Sequence, residues 1–191
     1  MPGLRERNKA RTRAEIRRQA MRLFRDQGYA STTVEQIAAA AEVSQSTFFR
    51  YFPSKEDVVL RDDLDPLVFD AFVGAPPELT PIQAFRAALR TVYQGLSPEQ
   101  RAEEWGRQRL TQSVPELRAR SLDALTQAMG LFTRAVAQRV GRQPDDLAVQ
   151  AFVGALIGVG LAVLLDEDRD PSGYLELYDA GLAQLEAGLP L

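Results

Sequence analysis

The chain has 191 residues, of which 45% are hydrophobic and 26% are charged, and it contains neither cysteine nor histidine. A chain of this length can bury roughly 70% of the surface that it exposes when unfolded, so a core can form without disulfides or a metal. Within these residues the composition excludes disulfides, cysteine nucleophiles, Ser-His-Asp triads, zinc fingers and other imidazole-ligated metal sites. We therefore expect no catalytic site of these kinds, no metal site and no cofactor.

The net charge of −3 is distributed unevenly along the chain. Residues 1–61 carry 12 Lys and Arg against 7 Asp and Glu, whereas the remaining 130 residues carry 11 against 19. A basic segment joined to an acidic body is typical of a polyanion-binding head attached to a domain of another kind. A solvated basic arm would give the same counts, so charge alone leaves both interpretations open.

Helix start signals recur along the chain and predict an all-α fold. A Ser or Thr followed three residues later by Gln, Glu or Asp can form a capping box, in which the side chains satisfy each other's backbone amides. Pro81 and Pro98 take first-turn positions, where a missing amide proton is harmless. The capping pairs are Thr33 with Gln36, Ser54 with Asp57, Thr80 with Gln83, Ser97 with Gln100, and Ser113 with Glu116.

The apolar spacing in the first third predicts four helices, of which the second and third are short. A first helix is expected over about 9–27, with an apolar stripe through Ile16, Ala20 and Phe24 and a stop at Gly28. A second is expected over 34–41, and a third over about 45–52, ended by a proline. A fourth begins near residue 54 and must kink or restart at Pro66, since proline removes a helical hydrogen bond.

Longer stripes follow the Gly-Ala-Pro-Pro sequence at 74–77, and they predict helices over 82–96, 122–136, 151–165 and 175–189. The apolar run 151–165 includes three glycines and ends at three acidic residues. Because a membrane span needs about 20 apolar residues, we expect a helix buried on all sides and no membrane partner. With no secretory signal and no cysteine, we expect a cytoplasmic protein.

The second and third helices, joined by a turn at 42–44, have the proportions of a helix-turn-helix unit. Such a unit lays the start of its second helix in the major groove of DNA. Residues at this start are short and polar, able to bond base edges or phosphates: Ser44, Gln45, Ser46 and Thr47. A helix start of this kind is also an ordinary cap, so the pattern alone does not decide.

The segments GY at 28–29, TTVEQIA at 32–38 and VSQSTFFRYFPSKED at 43–57 resemble the N-terminal signature of the TetR family of bacterial transcriptional regulators. These segments follow one another in the family's order between residues 28 and 57. The resemblance implies a homodimer of all-α subunits, each with a three-helix DNA-binding head and a body that binds an effector and dimerises. We place the DNA-binding domain at 1–61 and the ligand-binding and dimerisation domain at 62–191.

The resemblance also implies roles for individual residues. Gln45 and Ser46 would face base edges, whereas phosphates would be held by Thr33, Thr47, Tyr51 and Lys55. Arg11 and Arg13 could reach phosphates or a minor groove. The core would take Val43, Phe48 and Phe52. Phe49 stands where the family commonly has Tyr, so a hydroxyl contact to the DNA backbone is lost, and we interpret Phe49 as a core aromatic.

The body carries enough large apolar side chains to line an effector cavity, although the same residues could simply fill a core. The candidate ligand-binding residues are Phe72, Phe85, Leu89, Tyr93, Trp105, Arg109, Met129, Phe132 and Phe152. The segments 113–120, 154–159 and 185–189 resemble the C-terminal domain of TetR-type regulators of the mycofactocin-system group, which implies an acyl-CoA-type ligand. Guanidinium groups would then meet the CoA phosphates, from Arg107, Arg109, Arg118 or Arg120.

The expected function is a ligand-responsive repressor released from a palindromic DNA operator by a largely apolar effector. The apolar run from residue 151 and the seam through Leu175, Tyr178, Leu182 and Leu185 are predicted to form the dimer, and Gly158 to border the effector chamber. An enzyme is disfavoured because carboxylate pairs such as 62/63 and 145/146 are adjacent and diverge on a helix. A constitutive architectural DNA-binding dimer without an effector is the alternative, which a solidly packed body would favour.

Overall fold

The computed structural model describes residues 3–61, 64–164 and 173–190, and all the regular elements within these ranges are helices. The predicted all-α class is confirmed. The predicted residues at 62, 63 and 165–168 lie outside the described ranges. The helices are α1 Leu4–Gln27, α2 Val34–Ala40, α3 Gln45–Tyr51, α4 Lys55–Leu60, α5 Asp65–Val73, α6 Pro81–Gln94, α7 Pro98–Ser113, α8 Pro115–Val140, α9 Leu147–Leu164 and α10 Tyr174–Glu186.

The chain divides into two compact units. The first comprises Met1–Arg61 together with Gly106–Ser121, and the second comprises Asp62–Trp105 together with Leu122–Leu191. The first unit thus holds α1 to α4, the end of α7 and the start of α8. Leu117 of α8 is fully buried in the core of this first unit, which explains why a segment distant in sequence belongs to it.

The core of the first unit joins the apolar faces of its short helices. Ile16 and Ala20 of α1 are fully buried, as are Phe48 and Phe52 at α3. The predicted core positions Phe48 and Phe52 are confirmed, while Val43 is half-buried and packs against the same cluster. Helices as short as α2, α3 and α4 are marginal in isolation, so their stability comes from this shared apolar packing.

Side-chain caps begin several of the helices as predicted. Thr33 and Thr80 each form a full capping box, and Ser97 forms reciprocal bonds with Gln100 at 2.8 and 3.2 Å. The box predicted at Ser113 is wrong. Ser113 is the last residue of α7 and its hydroxyl donates to the Leu110 carbonyl at 3.2 Å, because α8 begins two residues later at a proline.

The proline at 66 restarts the helix, as predicted. α4 ends at Leu60, and α5 begins at Asp65 with the proline in its first turn. The ring cannot donate a backbone hydrogen bond, and a first-turn position requires none.

The core of the second unit is built around aromatic rings. Phe85 and Phe132 meet edge to face with ring centres 5.4 Å apart, and Phe72 lies 6.4 Å from each of them. Tyr178 of α10 joins this cluster, and its hydroxyl donates to the Leu156 carbonyl of α9 at 3.0 Å. Leu182, one turn further along α10, is fully buried.

This packing corrects the predicted dimer seam. Tyr178 and Leu182 are covered by their own subunit, and Leu175 and Leu185 are half-buried against the same core. The last helix also ends at Glu186, so Leu189 lies beyond it and is exposed. The three-and-four spacing does mark a helix interface, but the partner helices lie in the same unit.

The expectation that the apolar run is buried on all sides is also wrong. α9 buries Val149, Val153 and Leu156, whereas Ala151, Gly158 and Ala162 are exposed on another face. A β-carbon at Gly158 would meet nothing within 4 Å, so this position does not border a closed chamber. No helix of the described residues is both long and apolar enough to cross a membrane.

Candidate functional site

A short turn sets α3 against α2 in the first unit. The Val43 amide donates to the Ala38 carbonyl at 2.9 Å, and the Glu42 amide donates to the Ala39 carbonyl at 3.1 Å. Glu42 has a φ of 54°, in the left-handed region that few residues other than glycine adopt. The backbone therefore turns sharply within four residues, which gives the helix-turn-helix geometry that the sequence predicts.

The start of α3 carries a compact group of hydroxyls. The Thr47 amide donates to Ser44 Oγ at 3.1 Å, the Ser44 hydroxyl lies 3.0 Å from Thr47 Oγ1, and Ser46 Oγ is 2.9 Å from Ser44 Oγ. Ser44, Gln45 and Ser46 are exposed, and Thr47 is half-buried. The predicted base-facing residues Gln45 and Ser46 and the predicted phosphate contact Thr47 thus lie together with Ser44 at one helix start.

Thr33 lies at the start of α2, where a glutamine pair joins this helix to the end of α1. Gln27 Nε2 donates to Gln36 Oε1 at 2.8 Å and to Thr32 Oγ1 at 3.2 Å. Gln36 in turn accepts from the Thr33 amide at 3.0 Å. Thr33 itself is exposed, and its hydroxyl oxygen accepts from the Gln36 amide at 3.3 Å.

Lys55 has a structural role that sequence reasoning missed. Its Nζ donates to the Tyr29 and Thr32 carbonyls at 3.0 and 3.1 Å, and lies 4.1 Å from the centre of the Tyr29 ring. An ammonium has three donors, of which these two carbonyls take two. Lys55 thus connects α4 to the turn that precedes α2.

A polar network beside Lys55 joins α4 to the start of α8. The Tyr29 hydroxyl donates to Glu56 at 3.1 Å, and Arg120 lies 3.1 Å from the other Glu56 oxygen. Burial acts to raise the pKa of Glu56, but hydrogen bonds from its own amide, Ser54 and Tyr29 together with the Arg120 charge lower it overall. Arg120 therefore pairs with a carboxylate of the first unit, and its suggested CoA contact stays a prediction.

Two arginines stabilise the end of α4. Arg107 is buried and donates to the Val59 carbonyl at 2.9 Å, while Arg17 donates to the carbonyls of Val58 and Arg61 at 3.2 and 2.8 Å. Cations near a helix C-terminus satisfy carbonyls that have no partner within the helix. The suggested CoA-phosphate role of Arg107 is therefore wrong, and no sequence signal links it to a helix end 48 residues earlier.

The other predicted DNA contacts differ in exposure. Arg11 is exposed, whereas Arg13 is half-buried with its guanidinium 5.6 Å from the Phe52 ring centre. Tyr51 is half-buried against the core, and the Arg50 guanidinium lies 5.4 Å from its ring. Interpreting Phe49 as a core aromatic was wrong, since Phe49 is 49% exposed. The adjacent Phe48 occupies the core position and is fully buried.

The candidate ligand residues fall into three groups. Phe72, Phe85, Leu89 and Phe132 are buried in the core of the second unit, against which Phe152 packs, and Met129 is half-buried. Arg109 is exposed and belongs to the first unit. Tyr93 and Trp105 line a pocket of about 250 Å³ in the second unit. The full lining is Arg90, Tyr93, Gln94, Arg101, Glu104, Trp105, Leu175, Glu176 and Asp179.

An ion-pair network forms one side of this pocket. Asp179 accepts from Arg86 at 2.9 Å and from Arg90 at 2.6 Å, and Arg86 also pairs with Glu186. Burial acts to raise the pKa of Asp179, but its hydrogen bonds to the two arginines lower it overall. The charged lining was not anticipated, because α6 and α10 are separated by about 90 positions.

Comparison with known proteins identifies both parts of the chain. Residues 16–61 match the model of the bacterial regulatory proteins of the tetR family, and residues 79–190 match the MftR C-terminal domain. The chain is 41% identical to the HTH-type transcriptional regulator TcmR of Streptomyces glaucescens, over 98% of this chain and 88% of TcmR. This chain belongs to the TetR family.

Other relatives of this TetR-family chain agree. It is 28% identical to MftR of Mycobacterium tuberculosis, over 89% of this chain and 87% of MftR. Its fold resembles that of Thermus thermophilus FadR in complex with lauroyl-CoA, with a TM-score of 0.55, 24% identity, and coverage of 94% of this chain and 95% of FadR. It also resembles SmeT, repressor of a Stenotrophomonas maltophilia efflux pump, with a TM-score of 0.62, 18% identity, and coverage of 92% and 89%.

Family membership establishes the general function of the chain. It is a DNA-binding transcriptional regulator with a helix-turn-helix head and an MftR-type C-terminal domain. The family is one of regulators rather than of enzymes. Among the residues that the structure describes, no three acidic side chains are grouped so as to hold a metal ion.

Proposed function

We propose that this TetR-family regulator is a dimeric repressor that binds a palindromic operator through α3 and releases it when an effector fills the pocket of the second unit. The observation that carries the DNA-binding part is the exposed polar start of α3, held by the turn after α2. A helix presented in this way fits the major groove, where base edges differ most.

The proposed DNA contacts divide by chemistry. Gln45 and Ser46 face base edges, because both are exposed at the first turn of α3. The remaining contacts are to phosphates and set the register on the duplex, with Arg11 and Arg13 reaching phosphates or a minor groove. The proposed phosphate-binding residues are Thr33, Ser44, Thr47, Tyr51 and Lys55.

Replacing the exposed amide of Gln45 tests this assignment. Gln45→Ala is expected to change which bases are preferred, at about 1–3 kcal/mol if the amide makes a bidentate contact. The measurement is selection from a randomised duplex library, with Gln150→Ala, an exposed glutamine of α9, as the matched control. An unchanged preference for the Gln45 variant would contradict the base contact.

The same selection tests the dimer. A twofold pair of heads requires a palindrome with half-sites about 34 Å apart or at another whole-turn spacing. The exposed small-residue face of α9, at Ala151, Gly158 and Ala162, allows close approach of a second copy, beside Leu147, which is 78% exposed. Non-palindromic selected sites bound by a monomer would overturn this part of the proposal.

The pocket lining favours an aromatic effector that bears polar groups. Trp105 and Tyr93 contribute aromatic rings to the lining, whereas Leu175 is its single aliphatic side chain. An alkyl chain placed there would displace water from charged groups without replacing its hydrogen bonds, which is costly. Aromatic rings stack on Trp and Tyr, and hydroxyl or carbonyl groups can bond the surrounding arginines and carboxylates.

An acyl-CoA is the second candidate effector, favoured by the MftR-type C-terminal domain and by the lauroyl-CoA complex of FadR. In either case a ligand can act only by its different affinities for the DNA-binding and released states. The coupling is reciprocal and typically amounts to 1–3 kcal/mol, so bound DNA must weaken effector binding by the same factor.

Trp105 provides a direct test, since it is the one tryptophan of the chain. Hydroxylated anthraquinones and flavonoids are expected to quench the fluorescence of Trp105 and to release the protein from a pre-bound operator. The ligand concentration that gives half-maximal quenching should be higher when operator DNA is present. Trp105→Ala should bind operator normally yet require at least tenfold more ligand for release. Val73→Ala, an exposed apolar change outside the pocket lining, is the control.

A parallel titration with acyl-CoAs of increasing chain length separates the two candidates. Release by acyl-CoAs alone, with dependence on chain length, would contradict the aromatic effector and favour the second candidate. A complex insensitive to both classes would favour the architectural DNA-binding dimer instead.

A further inference from the structure

Helix α3 presents one large apolar ring to solvent. Phe49 is 49% exposed, and the other exposed large apolar side chains among the described residues all lie in the second unit, at positions 67, 73, 140, 147 and 189. The adjacent Phe48 is fully buried, and the two rings meet edge to face with centres 5.4 Å apart. The core is therefore already filled at this point of α3, and Phe49 is directed outward.

Phe49 shares a face of α3 with the proposed base-contacting residues. Gln45 and Ser46 precede it by four and three positions, the spacings that place helical side chains side by side. Both are exposed, as Phe49 is. A groove that receives Gln45 and Ser46 would also receive the ring of Phe49.

A phenyl ring has no donor or acceptor, so it cannot bond a phosphate or the polar part of a base edge. The apolar feature of the major groove is the 5-methyl group of thymine, which apolar side chains including Phe contact. We propose that Phe49 contacts one thymine methyl in each half-site and thereby specifies thymine at that position. This inference rests on the proposed function, because it requires α3 to lie in the major groove.

The contact can be isolated by removing the methyl group from DNA and the ring from the protein. In a site selected by the unmodified dimer, each thymidine is replaced in turn by deoxyuridine, which lacks only the methyl. At one position per half-site, Kd should rise about fourfold, the effect of burying one methylene-sized group. Phe49→Ala should bind the thymidine and deoxyuridine duplexes equally at that position.

Two further variants control for indirect effects. Ser46→Ala removes a different side chain from the same face and should retain the deoxyuridine penalty, whatever its overall affinity. Phe49→Leu keeps an apolar contact and should retain part of the penalty. Because Phe49 is half exposed, Phe49→Ala should melt within a few degrees of the unmodified protein, and Phe49→Gln provides a second ring-free variant.

The outcomes separate this inference from the proposed function. Selection of a duplex sequence with no deoxyuridine penalty at any position, or a penalty that persists in both Phe49→Ala and Phe49→Gln, would overturn the thymine contact alone. Failure of the unmodified protein to select any duplex sequence would overturn the proposed function and this contact with it.

Discussion

Leu182→Glu is expected to unfold the second unit. Leu182 is fully buried in the core that also holds Tyr178, Phe85 and Phe132. The substitution loses about 2 kcal/mol of apolar burial and places a carboxylate inside this apolar core. Together these effects should cost more than about 4 kcal/mol, a large part of the 5–15 kcal/mol typical of a domain.

The measurement is thermal and urea denaturation followed by circular dichroism, with Leu67→Glu as the matched control. Leu67 is 51% exposed on α5 in the same unit, so its variant should stay within about 0.5 kcal/mol of the unmodified protein. A Leu182→Glu protein that melts normally but sediments as a monomer would instead place Leu182 at a subunit interface, as its heptad-like spacing suggested.

Lys55→Ala is expected to weaken DNA binding at least tenfold for every sequence. A phosphate contact carries no base information, so the loss should be alike for selected and scrambled duplexes, and the salt slope should fall by about one per contact. The Tyr29 and Thr32 carbonyls also lose the ammonium, which should lower the stability of the first unit by about 1–3 kcal/mol.

Comparison of Lys55→Arg with Lys55→Ala separates charge from structure. Lys55→Arg keeps a cation near the phosphate and should retain most of the salt slope even if its bonds to the turn are distorted. Arg142→Ala removes an exposed cation of the second unit and should leave affinity unchanged. Equal affinity of Lys55→Ala and the unmodified protein would assign Lys55 a purely structural role.

Local patterns were sufficient to predict the helical class, the helix-turn-helix unit and most helix starts. A capping box such as that of Thr33 acts within four residues, and a proline such as that at 66 restricts its own backbone, so neither depends on the rest of the fold. The resemblance at 28–57 indicated the family because its motif residues lie close together in the sequence and can be recognised without the tertiary structure.

Only the tertiary structure decided which faces are covered and which side chains meet. Spacing alone shows that Leu182 faces another helix but not whether that helix belongs to the same subunit, and it does not distinguish Phe48 from Phe49 as the core residue. Arg107 bonds a carbonyl 48 positions earlier, and Arg86 meets a carboxylate 93 positions later. The first contact depends on how α7 packs on α4, and the second on how α10 packs on α6. In each case a polar side chain bonds the partner that helix packing brings within about 3 Å.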